Sequence, residues 1–324
     1  MTTARGADLY GPVQADLQQV EDVLDRLTRL DDFPGLEKML KVVLAAGGKR
    51  LRPGIALLAG TFGNYRTDLL VPLASAIELL HTATLVHDDV IDKADTRRGH
   101  RTANSVYDNG PAVMLGDYMF AHAAELVAMT GNIRVIRLFA ATLMKLASGE
   151  INQDLSAYDS RETLKNYFTR IGGKTASLFS AAGEGGAIVV DATEEHAIAM
   201  RDYAYNLGMA FQIIDDILDF TGDEAQMGKP VGSDLMQGTL TLPSLLLIER
   251  QPGENAVQRL FDGRQNGALE AAIEAVRDPA IIDESQQIAR RFRDQAEAAL
   301  QPLPATEARA TLTELLDYVL ARTS

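Results

Sequence analysis

Apolar residues recur every three or four positions along most of this chain, and strict alternation of apolar and polar residues is rare. One clear run passes through Leu73, Ile77 and Leu80 to Thr84. This spacing places side chains on one face of an α-helix, whereas a half-buried strand has a period of two. The pattern predicts an all-α protein.

Turn residues interrupt the helical pattern and divide the chain into roughly a dozen segments of ordinary length. The predicted breaks lie at residues 47–48, 63–64, 99, 109–111, 131–132, 172–173, 185–186 and 222–232. None of them has the composition of a domain linker, so residues 1–324 are predicted to form a single all-helical domain. The part after Gln251 is amphipathic and holds no chemical cluster, which indicates scaffold.

The composition is close to that of an average folded protein, with 46% hydrophobic and 23% charged residues. The formal net charge of −14 repels the phosphate backbone of nucleic acids, so no nucleic-acid partner is expected. The chain has no cysteine, which excludes disulfides and thiolate chemistry. A metal ion would therefore be held by oxygen atoms or by histidine.

The first residues lack the basic and apolar regions of a secretory signal, and no apolar stretch is expected to reach the length of a membrane-spanning helix. These features predict a cytoplasmic protein without stable membrane insertion.

A cluster of three aspartates ends the segment from residue 78 to residue 92, which is predicted to be one helix. Asp88 and Asp92 share a face about 6 Å apart, and Asp89 lies beside them. Carboxylates this close raise each other's pKa unless a cation lies between them. Magnesium, which takes one or two carboxylates and keeps positions for substrate phosphates, is the expected ion.

The same spacing returns at Asp215, Asp216 and Asp219, again within an apolar helical segment. A single cluster of this kind is equally consistent with an acidic N-terminal helix turn favoured by the helix macrodipole. The duplication favours a shared metal site. We call these two clusters the first and the second aspartate box.

Cationic residues that suit phosphate binding follow turns in tight sets. The first set is Lys49, Arg50 and Arg52 in GGKRLRP, and the second is Arg97 with Arg98 in TRRG. Each set taken alone is also consistent with a solvated basic patch.

Weaker candidates lie elsewhere. Lys174 and Thr175 follow a Gly-Gly pair, and Lys229 lies in a glycine-rich loop that has the character of a lid. Each of these lysines is also consistent with an ordinary surface lysine. His81 lies seven residues, about two turns, before Asp88, and a packed core histidine is an equal interpretation.

Taken in order, GGKRLRP, LLHTATLVHDDVIDKADTRRG, GGKTASLF, FQIIDDILDFTGD, GKPVGSDL and TLP resemble the trans-isoprenyl diphosphate synthases, from about residue 47 to residue 243. The resemblance implies an all-helical bundle around a central cavity in which magnesium ions bind an allylic diphosphate. It also implies that diphosphate departs to leave an allylic carbocation, that isopentenyl diphosphate attacks this carbocation, and that the released diphosphate takes the proton. Family precedent also implies a homodimer.

The resemblance carries over to individual residues. Asp88, Asp92 and Asp215 would be the principal metal ligands, with Asp89, Asp216 and Asp219 ligating or supporting. Lys49, Arg52, His81 and Arg98 resemble the isopentenyl diphosphate pocket, and Arg97, Lys174, Thr175, Gln212 and Lys229 resemble contacts to the allylic substrate. Arg97 and Lys174 join the three principal aspartates as the expected catalytic residues.

Two positions bear on the product. Thr239 stands where the family commonly has a second phosphate-contacting lysine, which is expected to weaken allylic diphosphate binding, alter chain length or be offset by Lys229. Ala83 and Thr84 stand where large aromatic residues block the growing chain in short-chain members. Their small size predicts a product longer than farnesyl diphosphate. Met119 or Phe120 would act as a deeper block if the limit were geranylgeranyl.

Other functions are consistent with parts of the pattern. A short-chain synthase remains open. His81, His87 and Asp88 loosely resemble a metal-dependent phosphohydrolase, although that function leaves the second aspartate box unexplained. A non-catalytic subunit of a heteromeric prenyl synthase would keep the fold, but such subunits usually lose an aspartate box and this chain has both.

Overall fold

The computed structural model describes residues 9–44, 47–97, 99–155, 157–223, 230–253, 255–263 and 267–322. Within these residues the chain forms sixteen α-helices, a short 3-10 helix before the first and a π-helical turn between the eighth and ninth. The α-helices are α1 Gln14–Leu27, α2 Pro34–Leu44, α3 Leu51–Gly60, α4 Thr67–Ile91, α5 Ala103–Tyr107, α6 Asn109–Met129, α7 Ile133–Leu155, α8 Leu164–Ile171, α9 Ser177–Val189, α10 Glu194–Thr221, α11 Ser233–Met236, α12 Leu242–Arg250, α13 Ala256–Phe261, α14 Ala268–Val276, α15 Pro279–Ala299 and α16 Glu307–Leu320.

Within the described ranges the only strands are two of two residues each, which form one hairpin. Strand β1, Thr96–Arg97, pairs antiparallel with β2, His100–Arg101, and Gly99 takes a φ of +78° in the turn between them. Glycine adopts this left-handed conformation without steric cost, which explains its place there. The predicted all-α class is confirmed.

Tertiary contacts divide the chain into two compact groups. The first contains Met1–Ala141, Leu178–Ala204 and Ala299–Leu315, and the second contains Thr142–Ser177, Tyr205–Ala298 and Leu316–Ser324. The single-domain organisation of residues 1–324 stays a prediction.

In the first group α4 packs against α1, α3 and α6. Its residues from Leu70 to Leu80 are all buried. A helix that is apolar on every side is stable only inside a core, which explains why α4 lies at the centre of this group. The polar end of α4 carries the first aspartate box.

In the second group an apolar core surrounds the helix that carries the second box. Ile213, Ile217 and Phe220 of α10 belong to this core together with residues of α8, α12, α14 and α15. The apolar positions of α10 therefore fix which of its faces is turned inward.

One predicted break is wrong. Residues 185–186 lie inside α9. Gly186 is there because the backbone of α3 comes close: a Cβ at this position would lie 2.2 Å from the carbonyl oxygen of Ala56. Residues 172–173 do mark a boundary, because α8 ends at Ile171, but the chain continues into α9 through the π-helical turn Gly172–Ala176 and not through an open loop. Glycine signals a turn or a close approach, and the sequence alone does not distinguish them.

The expectation that no apolar stretch reaches the length of a membrane span is also wrong. Helices α4 and α6 are long and apolar enough by length and composition. However, 78% of the most apolar window of α4 and 39% of that of α6 is buried inside the protein. Helices in a protein core can have the same length and apolar composition, so these two helices are weak evidence for insertion into a membrane.

Candidate active site

The first aspartate box lies at the C-terminal end of α4. Asp88 is half-buried, Asp89 is buried, and Asp92 is exposed at the position that caps the helix, where its backbone N–H donates to the Asp88 carbonyl at 2.8 Å. The three carboxylates therefore differ in their access to solvent although they lie within five residues.

Arg97 holds the buried member of this box. Its Nε donates to Asp89 Oδ1 at 2.7 Å from strand β1. Burial raises the pKa of Asp89, and the charge and hydrogen bond of Arg97 oppose that rise without cancelling it. The β1–β2 hairpin thus places a cation directly against the box.

The three basic residues around the start of α3 have different surroundings. Lys49 is exposed, and Arg52 lies with its guanidinium carbon 4.2 Å from the centre of the Phe179 ring, in cation–π contact. Arg50, in contrast, is bound by Glu21 and Glu78. Of these three residues, Lys49 and Arg52 were the predicted substrate contacts.

His81 lies on α4, two turns before the box, and is partly buried. Its backbone carbonyl accepts a hydrogen bond from Thr84 Oγ1 at 2.7 Å. The chain-length position Ala83 is buried, and Thr84 is partly buried.

The second aspartate box lies near the end of α10. Asp215 is partly exposed and forms an ion pair of 2.8 Å with Arg322, whose guanidinium carbon lies 4.2 Å from the centre of the Phe211 ring. Arg322 follows α16, so the end of the described chain reaches this box.

Asp216 is the centre of a buried hydrogen-bond network. Tyr167 Oη donates to Asp216 Oδ2 at 2.6 Å, Gln212 Nε2 donates to Oδ1 at 2.8 Å, and Thr175 Oγ1 donates to Gln212 Oε1 at 2.7 Å. Burial, followed by the charge of Asp234, raises the pKa of Asp216, and the hydrogen bonds from Tyr167 and Gln212 act against this. Gln212 and Thr175, which were predicted to contact the allylic substrate, are thus connected to the second aspartate box by hydrogen bonds.

Asp219 is fully buried. Its carboxylate accepts hydrogen bonds from Ser233 Oγ at 2.9 Å and from the backbone N–H of Asp234 at 3.2 Å. It therefore joins α10 to the start of α11. The backbone N–H of Thr239, the residue in place of the family lysine, donates to the Asp234 carbonyl at 2.8 Å.

Lys174 lies in the π-helical turn, and its Nζ is 2.8 Å from the Glu150 carboxylate and 3.4 Å from Gln153 Oε1 on α7. Single π-turns are frequent at functional sites. Here the turn joins α8 to α9 and directs neighbouring side chains to different partners. Lys174 binds α7, and Thr175 binds α10.

Two predicted contacts, Arg98 and Lys229, lie outside the described residues. Several contributors had no sequence signal of their own. Tyr167 and Glu150 stand in unremarkable helical segments, Glu78 opens the segment of the first box without being a candidate itself, and Arg322 lies far from any motif. Only the folded chain brings them to the predicted residues.

The donor chemistry of both boxes suits magnesium, because carboxylate oxygens are its preferred protein ligands. In each box the buried members are oriented by hydrogen bonds from other side chains, an arrangement typical of the support around metal ligands. Among the residues that the structure describes, no three His, Asp or Glu side chains are already gathered around one point. The magnesium ligands stay a prediction.

The resemblance to a phosphohydrolase receives no support from His87. Its Nε2 lies 3.0 Å from the Val113 carbonyl and 3.7 Å from Asp117, and its ring meets the Phe120 ring edge-on at 5.1 Å between centroids. The ring fits against Gly116, where a Cβ would lie 2.1 Å from Nε2. His87 is a packing residue between α4 and α6.

A family model for polyprenyl synthetase matches residues 34–277, which include both boxes. The chain belongs to the polyprenyl synthetase family. It is 39% identical over 311 residues to heptaprenyl diphosphate synthase component 2 of Geobacillus stearothermophilus, covering 96% of this chain and 97% of that one. It is 35% identical over 318 residues to octaprenyl diphosphate synthase of Escherichia coli, covering 97% and 96%.

Solved structures of prenyl diphosphate synthases are similar to this chain in fold and sequence. A heptaprenyl diphosphate synthase from Staphylococcus aureus matches with a TM-score of 0.92 and 33% identity, over 96% of this chain and 99% of that one. A decaprenyl diphosphate synthase from Rhodobacter capsulatus matches with a TM-score of 0.91 and 35% identity, over 98% and 99%. The predicted isoprenoid synthase fold and the predicted prenyltransferase function are confirmed.

Proposed function

We propose that this chain is a magnesium-dependent trans-prenyltransferase that joins isopentenyl diphosphate to an allylic diphosphate and releases diphosphate. The product would be a polyprenyl diphosphate longer than farnesyl diphosphate. The observation that carries the proposal is the duplicated aspartate box, with i, i+4 spacing in both copies, inside the region that matches the family model.

Magnesium, when bound, would supply positive charge that stabilises the departing diphosphate. Asp88, Asp92 and Asp215 are the proposed ligands because they are the more exposed members of their boxes. Asp216 and Asp219 are proposed to orient the second box, since hydrogen bonds from other residues hold both carboxylates. Asp89 would have the same role in the first box.

Basic and polar side chains complete the proposed substrate contacts. Isopentenyl diphosphate would bind Lys49, Arg52, His81 and Arg98, and the allylic diphosphate would bind Arg97, Lys174, Thr175, Gln212 and Lys229. Cations directed at the diphosphate favour the transition state because negative charge grows there as the bond to carbon breaks. The released diphosphate would take the proton, so no protein base is proposed.

The proposed product length rests on two observations. Ala83 and Thr84 are small and leave the position before the first box without a large side chain. In addition, the relatives named above are heptaprenyl, octaprenyl and decaprenyl diphosphate synthases. Both observations support a long chain over a farnesyl or geranylgeranyl product.

The proposed assembly is a homodimer. Helix α6 and the start of α7 expose large apolar side chains, including Met114, Met129 and Ile133. An interface formed by α6 and α7 would remove these apolar side chains from water, which favours association. One relative bears the name of a component of a synthase, so a second, different subunit is the alternative occupant.

Incubating the purified chain alone with magnesium, labelled isopentenyl diphosphate and an allylic diphosphate tests the proposal. We expect a long-chain product on chromatography, diphosphate release only when both substrates are present, and loss of turnover with a chelator. Phosphate release without isopentenyl diphosphate would indicate a phosphohydrolase instead. A chain that is inactive alone but restores activity to a second subunit would be a non-catalytic component.

A further inference from the structure

The backbone just before α3 has a strained conformation. Arg50 has a φ of +51°, in the left-handed region that residues with a branched or long side chain rarely adopt. Strain of this kind persists only where the surrounding contacts over-determine it, and it clusters at ligand sites. Lys49 immediately precedes this residue and Arg52 follows it by two positions.

Carboxylates from two helices engage the Arg50 guanidinium on all of its nitrogens. Nε and Nη2 donate to the two oxygens of Glu21 on α1, with a distance of 3.0 Å for Nη2, and Nη1 donates to Glu78 Oε1 on α4 at 2.6 Å. The Arg50 and Glu78 side chains are only 10% and 7% exposed. Removing one partner from a buried pair leaves an uncompensated charge, so the contact is hard to break.

The guanidinium stays charged in this setting. Burial by itself lowers the pKa of Arg50, but the hydrogen bond to Glu21 and the charge of Glu78 outweigh burial and raise the pKa above its ordinary value. A bound diphosphate would have to compete with two carboxylates for this side chain. Arg50 therefore does not suit direct phosphate binding.

Further contacts hold the same segment. Tyr10 Oη donates to the Lys49 carbonyl, and the Tyr10 ring lies so close to α3 that a Cβ at Gly54 would be 2.3 Å from its Cε1. Arg52 packs over Phe179. Glu78 lies three residues before His81, on the same side of α4. Arg50 thus links the segment that carries Lys49 and Arg52 to the helix that carries His81.

We propose that Arg50 is a positioning residue for isopentenyl diphosphate, which sets Lys49 and Arg52 relative to His81 through its pairs with Glu21 and Glu78. This inference rests on the proposed function, because that function assigns Lys49, Arg52 and His81 to this substrate. Lysine cannot replace Arg50 fully, since a single ammonium cannot bind two carboxylates in a planar fork.

Steady-state kinetics with each substrate varied in turn test the proposal in Arg50→Lys, Arg50→Met and Glu78→Gln. We expect KM for isopentenyl diphosphate to rise about tenfold to a hundredfold, because small displacements of binding groups have effects of this size. The turnover number and KM for the allylic substrate should stay within about threefold of the parent values, and Arg50→Lys should fall between the parent and Arg50→Met.

Arg134→Met is the matched control, because Arg134 also pairs with two glutamates, Glu184 and Glu194, in the same compact group. Because the Arg134 side chain is 48% exposed, this variant should change the melting temperature little and leave KM for isopentenyl diphosphate unchanged. If Arg50→Met leaves that KM unchanged, or raises both KM values in proportion to its loss of stability, the positioning role is wrong. Arg50→Lys and Glu78→Gln decide the question if Arg50→Met does not fold.

Calorimetric titration of isopentenyl diphosphate separates this inference from the proposed function. A parent chain that binds it without turnover contradicts the proposed function, and an affinity about tenfold or more weaker in Arg50→Lys would still support the positioning role. Equal affinity in the two proteins would overturn that role. A parent chain that neither binds nor reacts overturns both.

Discussion

At the scale of single residues, the six aspartates have different environments although the sequence presents two identical patterns. Asp216 and Asp219 are buried and hydrogen-bonded by neighbouring side chains and backbone, and Asp89 is held by Arg97. Asp88, Asp92 and Asp215 are more exposed. A buried carboxylate needs such partners because desolvation is otherwise unfavourable. The proposed division between ligands and supporting residues follows from this difference.

Replacing Tyr167 by Phe should change the pH dependence of the reaction. The Tyr167 hydroxyl stabilises the ionised form of Asp216, so its loss raises the pKa of that carboxyl further. The protonated carboxyl persists to higher pH, and we expect the acidic limb of the kcat/KM profile to move up by about one pH unit.

Tyr203→Phe is the control for this measurement. Tyr203 is also fully buried, but its hydroxyl donates to the Leu312 carbonyl at 2.7 Å, which does not titrate. This variant should lose stability and keep the parent pH profile. Coincident profiles for Tyr167→Phe and the parent would contradict the proposed role of Asp216.

Product length belongs to the same scale. Thr84→Phe would place a large ring four residues before the first box, and we expect it to shorten the product toward farnesyl or geranylgeranyl diphosphate. Chromatography of the products measures the effect. Thr82→Phe is the matched control, since it introduces the same ring two residues away in α4. An unchanged distribution in Thr84→Phe would exclude this position as a chain-length determinant.

At the scale of elements, α9 depends on one close helix–helix approach. Gly186 faces the backbone of α3, whereas a Cβ at its neighbour Gly185 would meet Leu73 Cδ2 at 3.4 Å, an ordinary contact. We expect Gly186→Ala to cost about 1–3 kcal/mol of stability by overpacking. Gly185→Ala should be neutral or add up to about 1 kcal/mol through helix propensity.

Denaturant unfolding of the two alanine variants tests this packing. The pair is informative because both substitutions add the same methyl group to the same helix at adjacent positions. Equal stabilities would show that α9 and α3 can separate without cost at Gly186.

The π-helical turn determines which partners its side chains reach. The π-helical turn Gly172–Ala176 contains one residue more than a turn of α-helix. Without that extra residue, every later side chain would be rotated by about 100° around the helix axis. The observed turn lets Lys174 bind Glu150 while Thr175 binds Gln212. The Gly-Gly pair correctly marked the end of α8 and the start of this π-helical backbone.

At the scale of the whole molecule, the exposed apolar surface of α6 bears on assembly. The Met114 side chain is 70% exposed, and stable interfaces bury about 800 Å² on each partner. A charge placed within an interface opposes association, because it would be buried without a partner. If the chain forms the proposed homodimer through this surface, we expect Met114→Glu to give a monomer in light scattering after size exclusion.

Met236→Glu is the control, since Met236 is a methionine exposed to 50% on α11, away from α6 in the sequence. It should leave the molar mass unchanged. A parent chain that is already monomeric, or a Met114→Glu variant with the parent mass, would contradict the proposed homodimer interface.

Much of the site could be predicted from local patterns. Helical periodicity and i, i+4 spacing identify both aspartate boxes, and the motifs GGKRLRP and GGKTASLF locate the cationic residues. The partners of these residues could not be predicted in the same way. Tyr167 lies 49 residues from Asp216, and Arg322 lies more than a hundred residues from Asp215. Contacts at such separations depend on packing that no local pattern encodes.

The sequence by itself determined the helical class, the positions of the acidic and basic clusters and the family, because these depend on residue types at short, regular spacings. Only the tertiary structure decided which aspartates are buried, that Arg50 is bound by Glu21 and Glu78, and that Gly186 is a contact and not a break. The physical reason is that burial and pairing are properties of neighbours in space, which the chain brings together only when its apolar faces pack.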